Sequence, residues 1–172
     1  MVTGHVRGDL PGHPWAGTAA MLGPDRVILG EDGAFSFAVK PGRYHLKVCC
    51  SPYFQAIDRD VVVEKSDIVL DLQPNALMEI KGRLEIQGRT KVPYGLNVLA
   101  ALEGTNVVDR AVTAEGGTFA LHLSTGTWEI RMDSLPAKYR IASIRLGDKE
   151  VRDRKLTLAK GAASLPLRIA LQ

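Results

Sequence analysis

The stretch Asp32-Gly33-Ala34-Phe35-Ser36-Phe37-Ala38-Val39-Lys40-Pro41-Gly42-Arg43-Tyr44-His45-Leu46-Lys47-Val48 returns 84 residues later. It reappears as Gly116-Gly117-Thr118-Phe119-Ala120-Leu121-His122-Leu123-Ser124-Thr125-Gly126-Thr127-Trp128-Glu129-Ile130-Arg131-Met132. The two align without a gap: glycine falls on glycine twice and aromatic on aromatic twice. A repeat this long marks two copies of one folding unit. In each copy two apolar/polar alternating runs flank a turn, which is the period of a half-buried strand. Each copy therefore reads as a β-hairpin inside a small all-β domain.

Outward from the repeat, the first unit reads as seven short strands, over residues 2–7, 15–22, 26–30, 34–39, 43–50, 57–64 and 67–72. Asp32-Gly33 supplies the positive φ of a tight hairpin turn, and Pro41-Gly42 makes the next turn. The fifth strand places Tyr44, Leu46, Val48 and Cys50 inward and His45, Lys47 and Cys49 outward. The second unit restarts at residues 78–84, where Lys81-Gly82-Arg83-Leu84 echoes Thr3-Gly4-His5-Val6. Strands over 96–102, 107–113, 118–123 and 127–132 follow. The tail adds 139–146, a turn at Gly147-Asp148-Lys149, and strands over 150–159 and 165–171. Helical periodicity is nearly absent, and strands at this spacing predict a sandwich or barrel. The expectation is an all-β chain of two tandem Ig-like β-sandwich domains, residues 1–73 and 77–172. Residues 74–76 form a short linker, and its Pro74 restricts both itself and its neighbour.

The chain has 172 residues, 45% of them hydrophobic and 24% charged, ordinary values for a globular protein. No apolar run approaches the roughly 20 residues that span a bilayer, so membrane insertion is not expected. The net charge of +3 is unevenly shared: residues 1–75 hold 7 basic and 9 acidic side chains, residues 76–172 hold 15 and 10. The basic excess includes Lys138, Arg140, Arg145, Lys149, Arg152, Arg154, Lys155 and Lys160, diluted by Asp148, Glu150 and Asp153. That dilution, without aromatic platforms, argues against nucleic acid. The two cysteines, Cys49 and Cys50, are adjacent on one strand. Opposite-facing side chains disfavour a disulfide between them, leaving Cys50 as a core residue and Cys49 as a surface thiol. There is no disulfide framework. The chain starts directly on a strand, without a signal peptide, as a piece trimmed from a larger protein would. The start fits either a cytoplasmic chain or one that follows a removed signal or another domain.

The order Gly4, Pro14-x-x-Gly17, Asp32-Gly33-x-Phe35-x-Phe37, Pro41-Gly42-x-Tyr44-x-Leu46-x-Val48 resembles the carboxypeptidase regulatory-like domain, a transthyretin-like seven-stranded sandwich. The second unit is similar, with Gly82, Pro93, Gly95, Gly117-x-Phe119 and Gly126-x-Trp128 at matching places. The resemblance implies a carbohydrate-binding-like fold, found beside zinc carboxypeptidases and as tandem repeats in bacterial surface and secreted proteins, and with it an extracellular or cell-surface location, the cytoplasm being the alternative. Its motifs are turn and core residues, so they specify a fold and not a chemistry. Collagen-adhesin B-type repeats, which are related, join a first-strand Lys to a last-strand Asn or Asp. Here Lys81 stands in a first strand, but residues 165–172 offer neither partner, so no such bond is expected.

No catalytic or metal site is expected. His5, His13, His45 and His122 lack ligand spacing, and Asp58 and Asp60 alternate on a strand without a carboxylate-rich loop. There is no nucleophile elbow, and no cofactor motif. What remains is aromatic. Tyr53 and Phe54 lie in a loop, and Trp15 and Tyr94 occupy equivalent positions just after a proline. Such rings can cap a core, meet a protein partner, or form a sugar platform. The sequence thus favours a non-catalytic spacer, display or protein-interaction module, with carbohydrate binding through these four aromatics as the alternative.

Overall fold

The computed structural model describes residues 1–8, 15–51, 53–88, 92, 94–159 and 165–172. The expectations that fall on the 9–12 turn, on His13, Pro14, Pro52, Pro93 and on Lys160 lie outside the described residues. The chain divides into two compact units, Met1–Leu77 and Met78–Gln172. Both are all-β sandwiches.

The first unit contains β1 (Val2–Val6), β2 (Ala19–Leu22), β3 (Asp25–Ile28), β4 (Ala34–Phe37), β5 (Gly42–Cys49), β6 (Ile57–Val63) and β7 (Ile68–Leu72). They form a three-stranded sheet, β4-β1-β7, and a four-stranded sheet, β3-β2-β5-β6. β1 runs antiparallel to β4 and parallel to β7. Alternation buries one face of each strand: Val2 and Val6, Phe35 and Phe37, Leu70 and Leu72 from one sheet meet Ala20, Leu22, Leu46, Val48, Val61 and Val63 from the other. Burying each large side chain contributes roughly 1.5–3 kcal/mol.

The second unit contains β8 (Met78–Ile86), β9 (Asn97–Leu102), β10 (Val108–Val112), β11 (Thr118–Leu123), β12 (Gly126–Asp133), β13 (Ile141–Leu146), β14 (Lys149–Glu150), β15 (Lys155–Leu158) and β16 (Leu167–Leu171). Its sheets are β11-β8-β16-β13-β14 and β10-β9-β12-β15. The wiring of the first unit recurs. β8 is antiparallel to β11 and parallel to β16, as β1 is to β4 and β7. β13 and β14 have no counterpart and widen the first sheet beyond β16.

The repeated stretch is not a hairpin, and this corrects the sequence expectation. β4 pairs with β1 while β5 pairs with β2 and β6; β11 pairs with β8 while β12 pairs with β9 and β15. Each copy is an arch that carries the chain from one sheet to the other. The physical reason is that both runs have an apolar face. Two sheets packed about 10 Å apart need inward side chains from both sides. An arch supplies both; a hairpin would leave both in one layer. The Asp32-Gly33 turn also crosses between sheets, from β3 to β4. Gly33 has φ 80°, and Ala34 N–H donates to Asp32 Oδ1 at 3.0 Å. That hydrogen bond holds the Asp32 carboxyl below its ordinary pKa.

Both arches are closed by the same device. Tyr44 Oη donates to the Lys40 carbonyl at 2.8 Å, and Trp128 Nε1 donates to the Ser124 carbonyl at 2.9 Å. Both copies also pair a first-strand glycine with a phenylalanine: Gly4 lies opposite Phe35 and Gly82 opposite Phe119. The ring lies over the glycine, so a Cβ on Gly4 or Gly82 would run into Phe35 or Phe119.

Two further expectations change. Residues 150–159 are not one strand: β14 pairs with β13 and β15 with β12, and the 3-10 turn Arg152–Arg154 breaks the run between them. Cys50 is not a core residue. β5 ends at Cys49, and Cys50 takes φ 78°, which removes it from the strand's alternation. Cys50 is exposed and Cys49 half-buried.

Candidate functional site

The structure separates the four aromatic candidates into two kinds. Trp15 is 8% exposed and Phe54 is 2% exposed. Their ring centroids lie 5.7 Å apart at a tilt of 56°, a favourable aromatic arrangement inside the first core. Their faces are occupied by packing. Tyr53 is 40% exposed and Tyr94 is 79% exposed. The apparent equivalence of Trp15 and Tyr94 in sequence is therefore not an equivalence of burial. The loop that carries Tyr53 and Phe54 is tied down: Phe54 bridges Ala76, Gln55 N–H donates to the Asn75 carbonyl at 2.9 Å, and Leu77 N–H to the Tyr53 carbonyl at 2.8 Å.

Of the histidines that face outward, His45 has the most built surroundings. Antiparallel pairing of β5 with β6 sets His45 opposite Asp60. The imidazole sits between two carboxylates: Nε2 lies 2.6 Å from Asp58 Oδ1 and Nδ1 lies 3.0 Å from Asp60 Oδ1. The hydrogen bond to Asp60, helped by the charge of Asp58, raises the His45 pKa above its ordinary value. This trio was not read from sequence, although its ingredients were; the signal was the shared outward phase of 45, 58 and 60. His5 stands 3.6 Å from Asp32. His122 is exposed on β11, and its backbone N–H donates to Asp109 Oδ2 at 2.7 Å. Among the described residues, no group of three or more His, Cys, Asp or Glu side chains is arranged to hold a metal ion.

The outer face of β9, β12 and β15 carries a shallow depression of about 270 Å³ that includes Glu103, Thr127, Glu129, Arg131 and Lys155. Its charges neutralise one another. Lys155 Nζ lies 2.6 Å from Glu103, which raises the lysine pKa; Arg131 lies 2.5 Å from Glu129, which lowers the glutamate's. Such a surface is polar and internally paired. Elsewhere in the basic excess noted in the sequence, Arg145 Nη2 donates to the Asp148 backbone carbonyl at 2.6 Å, which fixes the side chain without neutralising its charge. No helix among the described residues is long and apolar enough to cross a membrane.

No family model matches the chain, and no curated protein matches it. Among solved structures, the chain is similar to the Bacillus anthracis TIE protein, at 16% identity and a TM-score of 0.37. It is also similar to a streptococcal ancillary pilin, at 11% identity and a TM-score of 0.40. Each match covers 99% of this chain but only 33% of the first structure and 62% of the second, so the chain spans less than two thirds of either.

Proposed function

We propose that the chain is a non-catalytic tandem β-sandwich module of a bacterial surface or secreted protein, a spacer, display or protein-interaction unit, and that both units are carboxypeptidase regulatory-like domains. The observation that supports this is where the repeated residues go. Gly4 and Gly82 admit a ring, Gly33 and Gly117 hold positive φ at the entry to the arch, Phe35 and Phe119 fill the cores, and Tyr44 and Trp128 latch the arches. What has been duplicated is scaffold. A site would have to be added to it, and the residues that vary between units are where it would lie.

The first unit also has a flank suited to protein contact. Among the described residues β7 pairs with β1 alone, and Val69 on it is 77% exposed. In the second unit the corresponding strand, β16, has β13 along that side. An open strand edge is where a sheet accepts an extended segment.

A glycan array tests the proposal against the carbohydrate alternative. The expected outcome is no binding at micromolar concentration. Micromolar binding to a defined glycan, abolished by Tyr53→Ala or Tyr94→Ala, would overturn the spacer and interaction reading.

A further inference from the structure

β5 ends at Cys49, and the next residue, Cys50, turns its side chain toward it. A continuing strand would point them to opposite faces and hold the thiols apart. Instead Cys50 adopts φ 78°, in the left-handed region that a non-glycine residue rarely occupies. The two Sγ atoms then stand 2.6 Å apart, nearer than two unbonded sulfurs rest and within reach of a bond. The pair is within reach of solvent, with Cys50 exposed and Cys49 half-buried. Neither the fold nor the aromatic surface accounts for this arrangement, and an ordinary strand end would have needed no left-handed residue.

We propose that Cys49 and Cys50 are a reversible two-electron redox site, closing to a vicinal disulfide by exchange with a low-molecular-weight disulfide such as oxidised glutathione. The exposed Cys50 loses its proton, and its thiolate attacks one sulfur of the oxidant, expelling one small thiolate. Cys49 then loses its proton and attacks Cys50 Sγ in the mixed disulfide, expelling the second. The two expelled thiolates take up the two protons. One protein disulfide forms, one small disulfide is reduced to two thiols, and the electrons balance.

Burial and the hydrogen bond with Cys50 push the Cys49 thiol pKa up, while Lys47 and Arg26 favour its thiolate. Its exposure fits Cys50 as the first nucleophile, and the half-buried Cys49 as the resolving group. Consecutive Cα atoms lie about 3.8 Å apart across a trans peptide. An unstrained disulfide uses roughly 4.4–6.8 Å. The ring is therefore strained, and it belongs to the labile, switchable class of disulfide and not to the structural staples.

The experiment uses the intact chain, reduced and then equilibrated with glutathione buffers of increasing oxidation. The samples are quenched in acid, alkylated and weighed. The expected product is a monomer lacking two hydrogens, protected from alkylation at both cysteines and restored by a dithiol reductant. Cys49→Ser is expected to stop at a glutathione adduct on Cys50. A wild-type chain that is alkylated twice at every ratio overturns the proposal. So does one that accumulates a stable glutathione adduct or an intermolecular dimer in place of the ring.

Discussion

The arch of β4 and β5 and the arch of β11 and β12 share every landmark residue by number offset, yet they are not packed alike. Trp128 is 1% exposed and sits wholly in its core, whereas Tyr44 at the same place is only half-buried. Gly126 has φ 134°, and a Cβ there would lie 2.7 Å from Leu102 Cδ1; Gly42 is ordinary strand backbone beside the Tyr44 ring. β16 is flanked on both sides, while β7 pairs with β1 alone among the described residues. The difference teaches that duplication copied the wiring and the latch but left packing density free to diverge. Among the described residues, the second unit has the larger buried core cluster and adds β13 and β14 to the shared wiring.

The largest effect that could break this comparison lies at the latch itself. Trp128→Ala empties a fully buried site and is expected to cost about 3–5 kcal/mol. Tyr44→Ala removes a half-exposed ring and one hydrogen bond, and about 1–2 kcal/mol is expected from these partial losses. Chemical denaturation followed by amide signals from each unit reads the two separately. Equal costs would mean that the arches are energetically the same despite their unequal burial.

The glycine–phenylalanine pairs sharpen the comparison from the other side, because here the units share the facing ring. Gly4→Ala and Gly82→Ala each push a methyl into the facing ring, and overpacking of this kind costs about 1–3 kcal/mol. The Gly4 cost should be the larger, because its methyl also meets the Leu70 backbone carbonyl oxygen at 2.5 Å, whereas at Gly82 the nearest atoms are all of the ring. In the background of Phe119→Leu, the Gly82→Ala penalty should shrink in a double-mutant cycle, since the obstacle is the ring. A full penalty in that background would place the fault in the backbone instead.

A smaller contrast separates the arch glycines. Gly126→Val forces a β-branched residue into a positive φ, which costs of order 1–3 kcal/mol. Gly42→Val needs no positive φ, but its Cβ would lie 3.3 Å from the Tyr44 ring, so a smaller cost than at Gly126 is expected. Thermal unfolding of the two variants decides it, and a reversal of their order would show that the glycines are interchangeable.

Much of this was legible in the sequence because strand periodicity reports burial directly. Phe35, Phe37, Leu46, Val48, Phe119, Leu121 and Trp128 are buried as the alternation requires, and His45 and His122 face out. What the alternation does not encode is the partner strand. A hairpin and an arch place the same residues inward, so the repeat looked like a hairpin. Cys50 was misplaced for a related reason: periodicity was carried one residue past the point where β5 ends. The fate of Trp15 and Phe54 was open because an aromatic in a turn can pack inward or outward, and only the 5.7 Å contact between the rings decides it. The His45 trio needed the register of β5 against β6, which depends on the length of the intervening loop.

That trio carries the smallest expected effect, and its sign is fixed. Hydrogen bonding to Asp60 and the charge of Asp58 raise the His45 pKa in the folded chain. The unfolded chain keeps the ordinary imidazole value of about 6.5. Folding therefore favours the protonated form. The stabilisation is fully present below the unfolded value and is lost as pH rises through the folded one. Its window opens near the ordinary value and closes above it. The ring and both carboxylates are solvent-exposed, so water and salt screen the interaction and keep it small. Wild type should exceed His45→Gln in stability below this window, and the gap should narrow as pH rises through it and as salt is added. A difference between wild type and His45→Gln that is flat in pH, or that widens toward alkaline pH, would mean that the imidazole is not held between the two aspartates in solution.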